Sequence, residues 1–449
     1  MTLSAPRSPV LRRSFRKNFP AAIRGEGVYV WDSDGKRHLD FSGSAAVNFI
    51  GHGVQEISAA MAAQARDLEF VHTSQFTTPV AEDYAAELLE FAGENFRGGA
   101  VYFTCGGSEA VETALKLARQ YQVEAGQPKR HQILSRRQSY HGSTFGALAV
   151  SGNQRRREMY LPMVREFPHI GYPYCYRCAY DCTDGCRNCG QEYAAELEKA
   201  IEASNGEAAA FIAEPVSGAT LGAVVPADGY LQKISEICTR RGILFIADEV
   251  MTGMGRTGRN FAVEHWKVAP DILVTAKGLS SGYAPLGAVI ASKKVIDAIA
   301  AGSGSFMHGF TYNAHPISVA AGRAVLERLR SLVASADSSR EGSIASYLHK
   351  SLGRLRDLPS VGDVRGIGLL MGIEFVADKS TKQPFESSRG FSAKIGAACS
   401  KRGLLVYPMQ GSVDGVSGDH LLIAPPAVIT REQIDWATSQ LAEAIIESN

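Results

Sequence analysis

Apolar and polar positions alternate through residues 27–41, on either side of Asp34-Gly35. That pattern predicts a β-hairpin turning at the Asp-Gly pair. The middle of the chain then alternates short apolar runs with helical periodicity. Residues 100–104, 132–135, 209–213, 243–247, 272–275 and 286–291 read as strands. Residues 108–121 read as a helix with Ala110, Ala114, Leu117 and Ala118 on one face, and residues 230–240 as another. Strand, helix and strand in succession predict a parallel sheet with crossover helices, and runs apolar at every position suit strands buried on both faces. The pattern changes near Ala320. A long helix starts close to Pro316, a Ser-rich polar stretch covers 331–343, strands fall at 368–375 and 404–406, and an amphipathic helix starts at Thr430. This tail predicts a second, α+β unit.

Composition narrows the class. At about 150 residues per domain, 449 residues suggest two or three domains. The chain is 45% hydrophobic and 21% charged, an ordinary globular profile. Forty-seven Lys and Arg balance 46 Asp and Glu, so neither the basic excess of a nucleic-acid binder nor the high net charge of a disordered chain is present. No apolar run reaches the roughly 18–20 residues of a membrane span. Residues 1–25 carry Arg7, Arg12, Arg13, Arg16, Lys17 and Arg24 and no acid. They lack the apolar core of a secretory signal. The composition also fits a transit peptide, but the expectation is a solvated basic arm on a cytoplasmic protein.

In open α/β sheets ligands bind beyond the carboxyl ends of the strands, so the residues that follow each strand carry the chemistry. Cys105-Gly106-Gly107-Ser108 opens a helix, where free N–H groups bind anions; alone, such a stretch is more often a plain turn and cap. Asp248 ends one strand and could hold a cation, act as a base or cap a helix. Lys277 follows another; burial would make it a nucleophilic amine, whereas exposure would make it an ordinary surface lysine. Tyr140-His141-Gly142 could lay an aromatic on a flat ring or simply pack. Together these match the needs of pyridoxal phosphate: a lysine for a Schiff base, a carboxylate for the pyridine nitrogen, and a phosphate cradle.

Four further stretches carry a family resemblance: Ala-Glu-Pro-Val-Ser-Gly (213–218), Ala-Asp-Glu-Val-Met-Thr-Gly-Met-Gly-Arg-Thr-Gly (247–258), Pro-Asp-Ile-Leu (270–273) and Ala-Lys-Gly-Leu (276–279). With Cys-Gly-Gly-Ser-Glu-Ala (105–110), Tyr-His-Gly (140–142), Gly-Phe-Thr-Tyr-Asn-Ala-His-Pro (309–316) and Val-Arg-Gly-Ile-Gly-Leu-Leu (364–370), the chain resembles the class III (omega) aminotransferases from about Gly25 onward. The resemblance implies an α/β protein of fold type I. Its large domain would hold a mostly parallel seven-stranded sheet flanked by helices, beside a small α+β domain. The expected division is an N-terminal segment 1–60 that joins the small domain, a cofactor domain 61–322 and a C-terminal part 323–449.

The same resemblance implies roles. Lys277 would form the Schiff base and move the proton, and Asp248 would salt-bridge the pyridinium nitrogen. Val250 and Tyr140 would sandwich the ring, with His141 beside it. Gly107 and Ser108 would hold the phosphate, joined by the partner subunit's Thr311 in a homodimer, possible also as a tetramer. Glu214 would support the hydrogen-bond network near the cofactor, and Arg365 would bind a substrate carboxylate. Val47 and Phe49 are expected at a partly apolar substrate entrance. The expected reaction is ping-pong transfer of an amino group, as from a terminal amine, to a keto acid. A racemase, aminomutase, decarboxylase or ammonia-lyase on the same scaffold is the alternative; a cofactor-binding regulator would need a DNA-binding domain, and none is fused.

Three departures from the family pattern matter. Where 2-oxoglutarate users often place a gating glutamate, this chain has Ala219 or Thr220, so a small acceptor such as pyruvate is expected. Met251 stands where relatives often have Gln, and Cys105 where Asn is commoner. Outside the motifs, Cys175, Cys178, Cys182, Cys186 and Cys189 cluster with paired Cys-x-x-Cys spacing. Zinc, disulfides and free thiols stay open for them, although the linker is shorter than in common zinc modules.

Overall fold

The computed structural model describes residues 9–15, 19–180 and 189–449. The strands in chain order are β1 (Ala22–Glu26), β2 (Tyr29–Asp32), β3 (Arg37–Asp40), β4 (Ala100–Thr104), β5 (Gln132–Arg136), β6 (His169–Ile170), β7 (Ala208–Ala213), β8 (Leu244–Asp248), β9 (Ile272–Thr275), β10 (Gly287–Ala291), β11 (Val361–Ile367), β12 (Leu370–Phe375), β13 (Leu404–Leu405), β14 (Tyr407–Gln410) and β15 (Asp419–Ile423).

A seven-stranded sheet runs in the order β4-β10-β9-β8-β7-β5-β6. The β6/β5, β5/β7, β7/β8 and β8/β9 pairs are parallel. Their crossovers include the helices Cys189–Ala203 and Tyr230–Arg241. Each residue of β7, β8 and β9 is buried, as strands covered on both faces require. β10 is the exception, antiparallel to both β9 and β4. Only residues 276–286 join β9 to β10, and they hold no longer helix than the turn Lys277–Leu279. A parallel crossover needs a dozen or more residues, so the chain reverses. β4 therefore runs in the same direction as β9, and its carboxyl end opens on the same edge of the sheet.

Two smaller sheets complete the fold. The expected hairpin is present as β2 and β3, turning at Asp34-Gly35, and β13 from the far end of the chain pairs parallel with β3. β11, β12, β15 and β14 form an antiparallel sheet. β11 was not expected from the pattern: its half-buried positions and Gly362, Asp363 and Gly366 break the alternation that marks a strand. Thr430 caps the helix Arg431–Ser448, with Gln433 returning the hydrogen bond in a capping box. Among the described residues no helix is long and apolar enough to cross a membrane.

Candidate active site

The carboxyl edge of the large sheet opens into one cavity of about 320 Å³. Each strand end delivers a side chain to it. β8 ends on Asp248, β9 leads through Ala276 to Lys277, and β7 leads to Glu214. β5 leads to Tyr140 and His141, and β4 leads through Gly106 to Gly107 and Ser108. Val47, Cys105, Ala219, Val250 and Met251 complete the parts of the wall expected from sequence.

The two residues expected to carry the chemistry have distinct settings. Lys277 sits at φ 44°, in the left-handed region that an L side chain enters at a cost. Desolvation pulls its amine down from 10.5 to about 8; the nearby carboxylates of Asp248 and Glu214 oppose that shift, and Arg156 and Arg256 add to it. Roughly a tenth of the amine is thus free at neutral pH, far more than for an ordinary lysine. Asp248 is held rigidly. Its Oδ2 lies 2.6 Å from Nδ1 of the buried His141, and its Oδ1 accepts from the Val250 N–H at 3.1 Å. His141 is itself fixed by its N–H donating to Ser151 Oγ at 2.8 Å.

The helix Gly107–Glu124 starts in the cavity, with Gly106 extended before it. A Cβ on Gly107 would stand 3.0 Å from Val250 Cγ1, so only glycine leaves this cradle open while Val250 forms its floor. Ser108 Oγ accepts from the Ser143 N–H at 3.0 Å, and Gly142 passes so close that a Cβ there would meet Ser108 Oγ at 2.6 Å. Glu214 accepts from the Gly218 N–H at 2.9 Å and the Tyr140 N–H at 3.3 Å. Its carboxyl is pushed above the usual range, first by burial. These donors and charges fit pyridoxal phosphate: free helix N–H groups for the phosphate, a buried carboxylate for a ring nitrogen and a desolvated amine for the aldehyde carbon.

Three expected residues do not line this chain's cavity, Thr311 having been expected at the partner subunit's. Phe49 is fully buried in the core, under the Arg256 guanidinium at 5.0 Å. Thr311 is exposed on the segment before the helix Pro316–Arg330 and does not line this chain's cavity. Arg365 does not line it either. Its Nε–H donates to Gly222 O at 2.9 Å, its Nη2–H to Leu221 O, and its Nη1 lies 3.0 Å from both Asp363 and the buried Glu374. Its donors are spent on the wall behind Ala219, so in this structure none of them is directed at the cavity expected to take a substrate carboxylate. Ala219 does face the cavity, whereas Thr220 turns its hydroxyl to Gln138 O. No carboxylate therefore stands at that gate position.

Sequence reasoning missed the His141–Asp248 contact, made across 107 residues, and the roles of two arginines. Arg256 donates to Asn48 O, Ala424 O and Pro425 O, tying the 247–258 motif to both ends of the chain. Arg156 lies over the Tyr140 ring at 4.4 Å. Of the cysteine cluster, Cys182 and Cys186 lie outside the described residues. Cys175 Sγ and Cys189 Sγ are 3.8 Å apart, and Arg177 in the same segment pairs with Glu374 at 2.6 Å. Among the described residues no three candidate ligands are grouped as a metal would need.

The Lys277 amine sets one pH dependence. Capture of pyridoxal phosphate by cofactor-free protein is expected to speed up as pH rises toward about 8 and then to level off, because only the neutral amine attacks. Stopped-flow absorbance across pH 6 to about 10 checks this; a rate still climbing steeply above pH 9 would show an ordinary lysine.

Comparison with known proteins agrees with this geometry. The family model for aminotransferase class III matches residues 13–445. An uncharacterized aminotransferase, YodT, from Bacillus subtilis is 38% identical over 446 residues, covering 98% of this chain and 99% of that protein. A putrescine–pyruvate aminotransferase from Pseudomonas aeruginosa is 36% identical, covering 92% of this chain and 87% of its own length. Among solved structures, an amine transaminase from an uncultivated Pseudomonas species, in its pyridoxal-phosphate-bound form, superposes with TM-score 0.91 at 34% identity over the whole of both chains. An (S)-enantioselective omega-transaminase from Thermomicrobium roseum gives TM-score 0.88 at 38% identity, covering 96% of this chain and 93% of that one.

Proposed function

The chain belongs to the class III aminotransferases, fold type I enzymes that use pyridoxal phosphate, and from that premise we propose that it moves an amino group from a terminal amine to a small keto acid such as pyruvate. The observation that carries the reading is the convergence of Lys277, Asp248 and the Gly107 helix start in one cavity. Ala219, standing without a carboxylate at the gate position, supports the small acceptor. The Pseudomonas aeruginosa relative, named for putrescine and pyruvate, supports it as well.

When bound, pyridoxal phosphate supplies an aldehyde carbon for the amine and a ring that takes up an electron pair. The protein does the rest. Gly107 and Ser108 would offer N–H groups to the phosphate, and Val250 and Tyr140 would bracket the ring. Asp248, held by His141, keeps a proton on the ring nitrogen. Lys277 Nζ would be the base that takes the proton from the amine-bearing carbon of the donor and passes it on. With water supplying the carbonyl oxygen, the donor would leave as a carbonyl product before the acceptor enters, so two half-reactions alternate.

The same reading includes a homodimer in which the partner subunit's Thr311 reaches the phosphate. Support comes from the exposure of Thr311 and from large apolar side chains beside it or elsewhere on the surface, including Tyr312, Met307, Phe145 and Phe76. Sedimentation equilibrium returning the mass of one chain would overturn this part. A cytoplasmic setting fits Cys105, Cys238 and Cys399, which are thiols as a reducing compartment keeps them; cell fractionation tests it.

The acceptor is tested with the amino-loaded holoenzyme. Pyruvate is expected to regenerate the starting form at least about tenfold more efficiently than 2-oxoglutarate, the discrimination that one unmatched charge imposes. Preference for 2-oxoglutarate would sink the small-acceptor reading.

A further inference from the structure

A keto acid carries a carboxylate into this cavity, and the arginine expected to receive it, Arg365, is committed to Leu221, Gly222, Asp363 and Glu374. Other buried cations nearby are committed too. Arg256 is spent on three backbone carbonyls, and Arg136, fully buried, donates to the carbonyl of Glu214.

Arg156 differs. It stands on the short helical turn Gln154–Arg157, whose start is capped by Asn153. Its guanidinium lies 4.4 Å from the centroid of Tyr140, which lines the cavity. The neighbouring arginines face other partners, Arg155 toward Gln410 and Arg157 toward Glu166. Among the described residues no carboxylate forms an ion pair with Arg156. It is half-buried, and its positive charge reaches Lys277, where it disfavours the ammonium, and the buried His420 beside Ala219 O.

We propose that Arg156, which stacks on the cavity-lining Tyr140 without itself lining the cavity, is the specificity-determining cation of this site and reaches past that ring to the carboxylate of the keto-acid acceptor. The proposal rests on the keto-acid reading above. A guanidinium stacked on an aromatic face keeps its planar fork pre-organised for a bidentate carboxylate. It also solves the problem of two unlike substrates. An amine donor without a carboxylate leaves Arg156 on the ring, partly in water, so no buried charge is stranded. A gating glutamate is then unnecessary, and Ala219 occupies the place where one would stand.

The test uses the holoenzyme with Arg156→Leu and Arg156→Lys. The amino-loaded form is reacted with pyruvate and with propanal, an acceptor of the same carbon count lacking the carboxylate. In Arg156→Leu the KM for pyruvate is expected to rise roughly 10–100-fold, the loss of a charge-assisted hydrogen-bonded pair. Propanal should stay within about twofold, and Arg156→Lys should recover part of the pyruvate loss. As a readout independent of turnover, the visible spectrum titrated with acetate should show weaker binding in Arg156→Leu by a similar factor. Equal losses with pyruvate and propanal would reduce Arg156 to a prop for Tyr140 and overturn the proposal, as would an unchanged pyruvate KM. Wild-type enzyme that prefers 2-oxoglutarate overturns only the small acceptor, and the Arg156 comparison is then read with that acid. Wild-type enzyme that takes no keto acid overturns the functional reading and this proposal with it.

Discussion

Lys277→Ala is expected to abolish transamination, with turnover down by at least roughly 10⁴-fold, because the substitution removes both the covalent anchor and the proton carrier. The absorption band at roughly 400–430 nm that marks a lysine Schiff base should vanish with it. The fold should survive. Lys277 projects into a cavity rather than into the core, and Ala meets the same φ of 44°. Cofactor-free Lys277→Ala should be no less stable than wild type at neutral pH. The sign follows from the direction of the shift. An amine held at about 8 in the fold, against 10.5 when free, destabilises the folded state. That cost is fully present below pH 8 and fades as pH rises toward 10.5. Turnover and the visible band are read on the holoenzyme, and stability by urea unfolding of the cofactor-free protein. Retained turnover in Lys277→Ala would remove the central assignment.

Asp248→Asn is expected to lower kcat by roughly 10³–10⁴-fold while leaving KM within a few-fold. Asn has nearly the same shape and can still meet His141 and the Val250 N–H. What it lacks is the negative charge that keeps a proton on the ring nitrogen. In a desolvated site that charge acts in the transition state more than in binding, so the loss falls on kcat. The 2.6 Å contact with buried His141 makes Asp248 rigid before cofactor arrives. A loss under tenfold would mean that ring protonation does not depend on this carboxylate.

The large sheet was legible because its cause is local. Apolar runs such as Ala208–Ala213 and Ile272–Thr275 can be satisfied only as strands covered on both faces, and the intervening periodicity supplies the covering helices. Site residues at strand ends were legible for the same reason, since a parallel sheet aligns its carboxyl ends. β11 was not legible, because its two glycines and half-buried face blur the alternation. The reversal of β10 was implicit in an eleven-residue connection, which is too short for a crossover.

Arg365 and Arg156 mark where local reading stops. Arg365 lies in a family motif, which drew it toward a substrate role, yet Asp363 and Glu374 on β11 and β12 hold it in an ion-pair network against residues 221–222. Phe49, two residues from the cavity-lining Val47, turns into the core because Ser281 and Arg256 fix its backbone and ring. Arg156 sits among three consecutive arginines that nothing in the order of residues distinguishes.

By itself, then, the sequence determined the strands of the large sheet other than β6, the family, and which residues stand at the ends of β4, β5, β7, β8 and β9. These follow from periodicity, turn chemistry and motif, all read within a few residues. The tertiary structure alone decided which charges are already paired and which are left without an ion-pair partner among the described residues. Pairing joins residues more than a hundred positions apart, as with His141 and Asp248 or Arg365 and Gly222, and its energy depends on burial that no local pattern records.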